Sequence, residues 1–576
     1  KTERFSLALA YGDDYKGVIK TKKVAQLIYN ANYNFPKPPE KPTLTAVAGD
    51  KKVTLYWDRI AEASINNVTK EKDFEGYKIY RGTDPDFTDA LQITNGQGQK
   101  VFYKPIAQFD LKDGITGYFS PSSLLFELSN GAPYYLGDDS GIQNSYVDND
   151  VTNGRTYYYA VVAYNRGNAG YDIFPAENTK FISKDAAGVI STDINTAVVV
   201  PNAPVLGYVP PSNGSQLTRL EGNSNVVPYF DALDPTRVID ASYNVTFSDS
   251  IVSGVPIAFS YKVTDANTNE IVLDNEKMSP KNGTVFNGVQ LSIDTSYQRL
   301  DSIKINLSKS GWNHPSAKNL KTTVSQFTYP GINGVRSSHD YAIVFSDAYQ
   351  DSSNHLTGIF GGNAPPANTK LNFKIYDITI PDSVKRVPFI FTESSSFRRD
   401  TLSFFDQISM ADPTATYMTW KIVITGDSTS NIPAARDTLY LSFNKPITSK
   451  DKFTFSSTSA TTDNNKANNN MDQIRAVPNP YIVTNVFEQP LPPQVRGRGE
   501  RIVDFINVPS GATIRIFTSS GDLVRTLHQD GNLNNGSVKW DLRTEEGLDI
   551  SYGVYFYIVT DQGNSEKKFG KLAIIK

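Results

Sequence analysis

The side chains that usually carry acid–base and metal chemistry are sparse or loosely placed in this chain. Only four histidines occur among 576 residues: His314, His339, His355 and His528. Ser338-His339-Asp340 contains the residue types of a hydrolytic triad. Neighbours along a strand point to opposite faces, however, so these three cannot pass a proton among themselves, and the tripeptide predicts a turn entering a strand. The chain has no His-Glu-x-x-His helix, no Gly-x-Ser-x-Gly elbow and no phosphate-cradling glycine loop. Cysteine is absent, which excludes disulfides and thiolate metal sites. The expectation is a protein that is not an enzyme. Its densest carboxylates are Asp138-Asp139 and Asp148-Asn149-Asp150. Calcium takes roughly six to eight oxygen ligands, which loops of β-sandwiches can supply. Asp138, Asp139, Asp148 and Asp150 are therefore candidate calcium ligands, with solvated turn residues as the competing reading. No other cofactor is expected.

The elements that must position these residues are strands. Tyr and Phe are abundant (32 and 31), and Gly and Pro are frequent, a balance that favours strands and turns. Alternation of apolar and polar residues marks Lys52–Trp57, Glu75–Arg81, Arg155–Tyr164, Ile257–Val263, Tyr341–Phe345, Leu371–Ile375, Trp420–Ile424 and Leu439–Phe443. Each has one apolar face, which requires a second sheet to cover it. The fold class expected is all-β, as tandem β-sandwiches of Ig-like or fibronectin type III kind, with a short N-terminal strand–helix segment. In that segment Phe5, Leu7, Leu9 and Tyr11 alternate. Asp13 and Asp14 stand at a helix N-cap, and Val24, Leu27, Ile28 and Ala31 follow at helical spacing. One strand and one helix cannot bury a core, so residues 1–38 read as the tail of a domain whose body precedes Lys1.

The net charge is −3, and no basic run is present to neutralise phosphates, which argues against a nucleic-acid partner. No stretch approaches the length of a membrane-spanning helix. Length alone predicts several domains. Residues 42–81 and 140–166 resemble the fibronectin type III pattern, with Trp57 on the second strand, Gly76-Tyr77-Lys78-Ile79-Tyr80-Arg81 on the third, and a tyrosine-rich strand after Asn153-Gly154. The expected domain is 39–199, interrupted by an insertion at 82–138. Residues 200–455 form one or two sandwiches. Residues 456–472, rich in Thr and Asn, contain too little apolar material to pack and read as a linker. A last domain spans 473–576.

That last domain resembles the C-terminal sorting domain of type IX secretion cargo, related to the Ig-like domain of flagellar hook-capping proteins. The residues carrying the resemblance are Val477-Pro478-Asn479-Pro480, a hairpin turning at Gly521, Trp540, Gly553-Val554-Tyr555 and Gly570-Lys571. A proline-rich insertion at 489–501 departs from the pattern. The resemblance implies export of a folded chain through the outer-membrane translocon, contact with the surface-attachment machinery, and residence outside a Gram-negative cell or on its outer surface. Asp-Ser/Thr-apolar tripeptides at Ser250, Ser302, Ser383, Thr401 and Thr438 resemble O-glycosylation acceptors of Bacteroidota-type bacteria, although such strings also arise where Asp starts a turn before a strand. The expected function is an extracellular or cell-surface structural protein, with self-assembly through sandwich edges. Alternatives are an adhesion or glycan-binding protein using aromatic platforms in 82–138, or the non-catalytic C-terminal part of a larger secreted enzyme.

Overall fold

A computed structural model describes residues 9–12, 14–30, 37–95, 98–119, 133–171, 173–185, 189–280, 283–313, 320–329, 332–353, 370–391, 401–406, 417–425, 433–482, 488, 500–561, 563 and 567–575. The expected strand at 4–11, together with His314, His355, Asp13, Asp400 and most of the 489–501 insertion, therefore lies wholly or partly outside the described residues. The helix is present as Tyr15–Asn30, and the Gly17 amide donates to Asp14 Oδ1 at 2.7 Å, the cap expected of an aspartate there. Among the described residues no helix is long and apolar enough to cross a membrane.

The chain is all-β, built as tandem sandwiches. The first pairs a three-stranded sheet (Leu44–Gly49, Lys52–Trp57, Ser145–Asp148) with a four-stranded one (Thr196–Val199, Tyr157–Asn165, Phe74–Gly82, Ala107–Asp110). Leu55, Trp57, Tyr77, Ile79, Tyr159 and Val161 meet between them, and the Trp57 ring stands edge-on to Tyr77 at 5.6 Å. The strands Phe74–Gly82 and Tyr157–Asn165 are buried on both faces, against the simple alternation expected of a sandwich. The cause is the insertion. Phe87, Ala90, Phe119, Tyr134 and Leu136 return to cover the outer face over Tyr80, Tyr158, Val162 and Tyr164.

Residues 200–455 contain two cores, one nested inside the other. The outer core joins a five-stranded sheet (Thr218–Glu221, Lys452–Ser457, Ala241–Val252, Val255–Asp265, Ile271–Lys277) to a three-stranded one (Ser215–Gln216, Tyr229–Ala232, Val289–Ser292). Phe230, Tyr243 and Phe455 stack through its centre, with Phe455 4.7 Å from Phe230 and 5.0 Å from Tyr243. The inner core is built mainly from strands that lie between Val289–Ser292 and Lys452–Ser457 in the chain, joined by Val255 and Ile257 of the outer sheet. It centres on Ile343, Phe373, Phe389, Trp420, Ile422 and Phe443.

The 456–472 segment differs from the expected linker. Its first residues finish the Lys452–Ser457 strand, and Thr461–Thr462 pairs with Tyr208–Val209. The helix Asn464–Asn469, capped by Asp463, then turns Ala467 into the last core, and Met471 follows it. Composition missed this because two apolar residues suffice when a neighbouring core supplies the rest.

Candidate functional site

The last sandwich sets a three-stranded sheet (Arg475–Val477, Val503–Ile506, Val538–Trp540) against a five-stranded one. The larger runs Tyr481–Ile482, Lys567–Ile575, Gly553–Thr560, Thr513–Phe517, Leu523–His528. The expected hairpin is there, and Gly521 occupies its turn at φ 94°, a left-handed conformation that costs glycine little. Trp540 is fully buried, edge-on to Tyr555 at 6.0 Å, and its indole N–H donates to the Arg543 carbonyl at 2.9 Å. Burying an indole this deeply requires a partner for that N–H.

Two motif residues have specific jobs at the final strand. Asn479 lies between two cis X–Pro bonds, and its side chain acts as a substitute strand. Its amide donates to the Lys571 carbonyl at 2.8 Å, and its Oδ1 accepts from the Ala573 N–H at 3.2 Å. Next to it, Tyr481 and Ile482 pair in parallel with Ile574 and Ile575. The final strand is thus covered over its last residues. Gly570 faces Tyr557 across the sheet, and a Cβ there would sit 2.1 Å from the Tyr557 ring. Glycine is the residue that leaves room for that ring.

Val554 and Lys571 point the other way, to solvent. Val554, Phe556, Phe569, Ile575 and Ile482 are all exposed on one face of the larger sheet, Phe569 by 65%. Phe556 pairs with Lys571 and Ile558 with Phe569, so the face is apolar with Lys571 set within it. Gly553 opens this strand, with open space where a Cβ would stand.

The four candidate calcium ligands do not converge. Asp148 is buried and accepts from Arg81 Nη1 at 2.9 Å, from the Tyr159 hydroxyl at 2.8 Å and from the Asp150 amide at 3.0 Å. Asp150 accepts from Arg81 Nη2 at 2.9 Å, so one guanidinium fork already serves both carboxylates. Asp139 accepts instead from the Asp113 and Gly114 amides at 3.2 and 3.0 Å, while Asp138 is exposed. Among the described residues no three His, Asp or Glu side chains are grouped as a metal would need.

Sequence reading missed two buried polar groups in the same sandwich. Glu75 lies at a β-bulge where Asn165 pairs with Phe74 and Tyr164 with Gly76. It is 0% exposed, and neither carboxyl oxygen has a hydrogen-bond partner among the described residues. Burial, reinforced by the nearby Asp113, pushes its pKa from 4.5 up to about 8, against the pull of Arg166. Lys78 lies under the insertion, its ammonium 3.6 Å from the centre of the Tyr134 ring and 3.7 Å from Glu177. Burial lowers its pKa to about 8 although Glu177 opposes the shift. Glu177 also accepts from the Tyr80 and Tyr134 hydroxyls, at 3.2 and 3.0 Å. Alternation sets Lys78 on the face opposite Tyr77 and Ile79, which looked solvated until the insertion covered it. Glu75, three residues away, falls on the other face by the same count, at a bulge that breaks the period, so alternation could not flag it.

His339 and Asp340 serve separate partners, as adjacent residues in extended chain must. His339 Nδ1 lies 3.0 Å from Asp377, whose pKa is held below its usual value: burial opposes that shift, and the His339 hydrogen bond and charge together with the Thr379 hydrogen bonds outweigh it. Asp340 accepts from Lys445 Nζ at 2.6 Å. Of the glycosylation candidates, Ser250 and Ser383 are exposed. The Ser302 hydroxyl donates to the Tyr297 carbonyl at 2.9 Å, Thr438 is buried, and the Thr401 side chain lies outside the described residues. A cleft of about 300 Å³ lies between the first and last sandwiches, lined by Asp50, Asn153, Glu488, Glu500, Asp504 and Lys539 among others. Burial raises the Asp504 pKa, with Lys539 and Ser537 opposing.

The fold and this geometry define the chain as an all-β, multi-sandwich protein whose last sandwich has a capped final strand and an exposed apolar face. No family model matches the chain, and no curated protein matches it. Among solved structures it is similar to PorZ of Porphyromonas gingivalis, described as an essential bacterial surface component of the type-IX secretion system. That match has 10% identity over 94% of this chain and 75% of the other, at a TM-score of 0.17. Dimeric latent PorU of the same organism matches at 10% identity over 67% of this chain and 35% of its own, at a TM-score of 0.13. A BSP domain of a biofilm-associated protein matches at 7% identity and a TM-score of 0.12. Superpositions this slight carry no argument, and the functional reading rests on the residues themselves.

Proposed function

We propose that this is a secreted, non-enzymatic structural protein of the Gram-negative cell surface or its surroundings. Its last sandwich addresses it to the outer-membrane translocon of the type IX secretion system. The observation that carries the reading is the coherence of the sorting motif in three dimensions. Trp540 and Tyr555 form the core, Asn479 caps the final strand, Gly570 admits Tyr557, and Val554 and Lys571 sit on the exposed face. A module read by another machine needs both a stable frame and a presented surface, and these residues divide between the two tasks. The sandwiches before it serve as scaffold and offer strand edges for assembly outside the cell.

Deletion of Gly570–Lys576 removes the capped strand. The expected result is accumulation of intact protein in the periplasm, seen by fractionation and by loss of surface labelling. Undiminished surface delivery of the truncated chain would refute the assignment.

A further inference from the structure

We infer that the last sandwich is not a detachable appendage: its fold is completed by a segment some 270 residues upstream, and it stays bound when the chain between is cut. The segment is Asn202–Val209, which follows the first sandwich. Leu206 is buried in the core of the last sandwich, together with Val508, Ala467 and Met471. Three backbone hydrogen bonds align the segment on that sandwich: Val205 N–H to Leu533 O at 3.0 Å, Leu206 N–H to Val508 O at 3.3 Å, and Gly536 N–H to Ala203 O at 2.8 Å. The Tyr208 hydroxyl adds a bond to Asn534 at 3.1 Å.

Two glycines make the approach close enough. At Gly536 a Cβ would meet the Pro204 carbonyl at 2.4 Å, and at Gly207 (φ +79°) it would meet the Asp463 carbonyl at 2.4 Å. The Asp463 amide in turn donates to the Gly207 carbonyl at 2.8 Å. The chain therefore threads between the helix Asn464–Asn469 and the loop around Asn534. Tyr208 and Val209 then pair with Thr462 and Thr461. Leaving this site would expose Leu206 and the apolar pocket it fills, and would strand several backbone groups. The inference does not depend on the sorting reading, because it concerns what happens when the covalent link is broken.

The test uses the full chain with a protease recognition sequence inserted after Ala460, in the loop between the strands Lys452–Ser457 and Thr461–Thr462. After complete cleavage the fragments should co-elute at the mass of the uncut protein, and amides in 203–208 and 533–537 should stay protected from hydrogen exchange. Separation of the fragments, or free exchange in both peptides, would overturn the inference. In the same insertion protein, Leu206→Asp should let the cut fragments part while the uncut chain still elutes as a folded monomer. Co-elution of cut Leu206→Asp fragments would show that other contacts hold the domain, and would equally overturn the role given to this segment. If uncut Leu206→Asp does not fold, the exchange measurement on the cut parent decides alone.

Discussion

Replacing Glu75 with glutamine should flatten the pH dependence of the first sandwich's stability and raise its stability at and above neutral pH. The unfolded chain releases the Glu75 proton near 4.5, whereas the folded chain holds it to about 8. A folded-state pKa above the unfolded one means that stability is fully present below pH 4.5. It falls between 4.5 and about 8 and levels off beyond, because only the unfolded state gives up its proton in that window. With the carboxyl fully buried and without a hydrogen-bond partner among the described residues, the loss should be on the order of 5 kcal/mol. Glutamine keeps the shape and removes the titration. Urea melts of both proteins from pH 4 to 9 provide the check. A parallel decline in the two would show that Glu75 is not the group responsible.

Trp540→Ala should unfold the last sandwich selectively. Removing a fully buried indole leaves a cavity beside Tyr555 and abandons the Arg543 carbonyl. Losses of this kind run to about 3–5 kcal/mol, comparable with the whole stability of a small domain. Val554→Ser, on the exposed face of the strand that turns Tyr555 into that core, should change stability by no more than about 0.5 kcal/mol. Hydrogen exchange across 473–576 distinguishes the outcomes: rapid exchange confined to that region in the tryptophan variant, and native protection in the valine variant. Equal protection in both would contradict the placement of Trp540 at the centre of the core.

Strand identity was legible wherever one face was apolar, as in Lys52–Trp57 and Val255–Asp265, because period-two alternation reports one buried face directly. It failed to report the second buried face of Phe74–Gly82, since the covering residues, Phe87 and Tyr134, fold back from the 82–138 insertion, whose path alternation does not show. That is why burial of Lys78 was not legible; Glu75 was hidden instead by the bulge at which it sits, which breaks the period. The Asn464–Asn469 helix was hidden for the opposite reason: its composition is polar, and Ala467 and Met471 borrow a core that other strands build. The nesting of one core inside 200–455 was also invisible, because alternation gives strands without partners. At the last sandwich the motif residues stood out in sequence, but their division into frame and surface did not. Asn479 reads as a turn residue until its amide is seen bridging Lys571 and Ala573. The paired aspartates at 148 and 150 suggested a cation, and the cation supplied is Arg81.

The most direct test of the central claim compares surface exposure of the unaltered chain in two Bacteroidota-type hosts, one with the type IX translocon intact and one lacking it. The expected result is digestion by protease added to intact cells in the first host, and protection within the periplasm in the second. The same surface exposure in both hosts would contradict the assignment of the last sandwich as the address for that route.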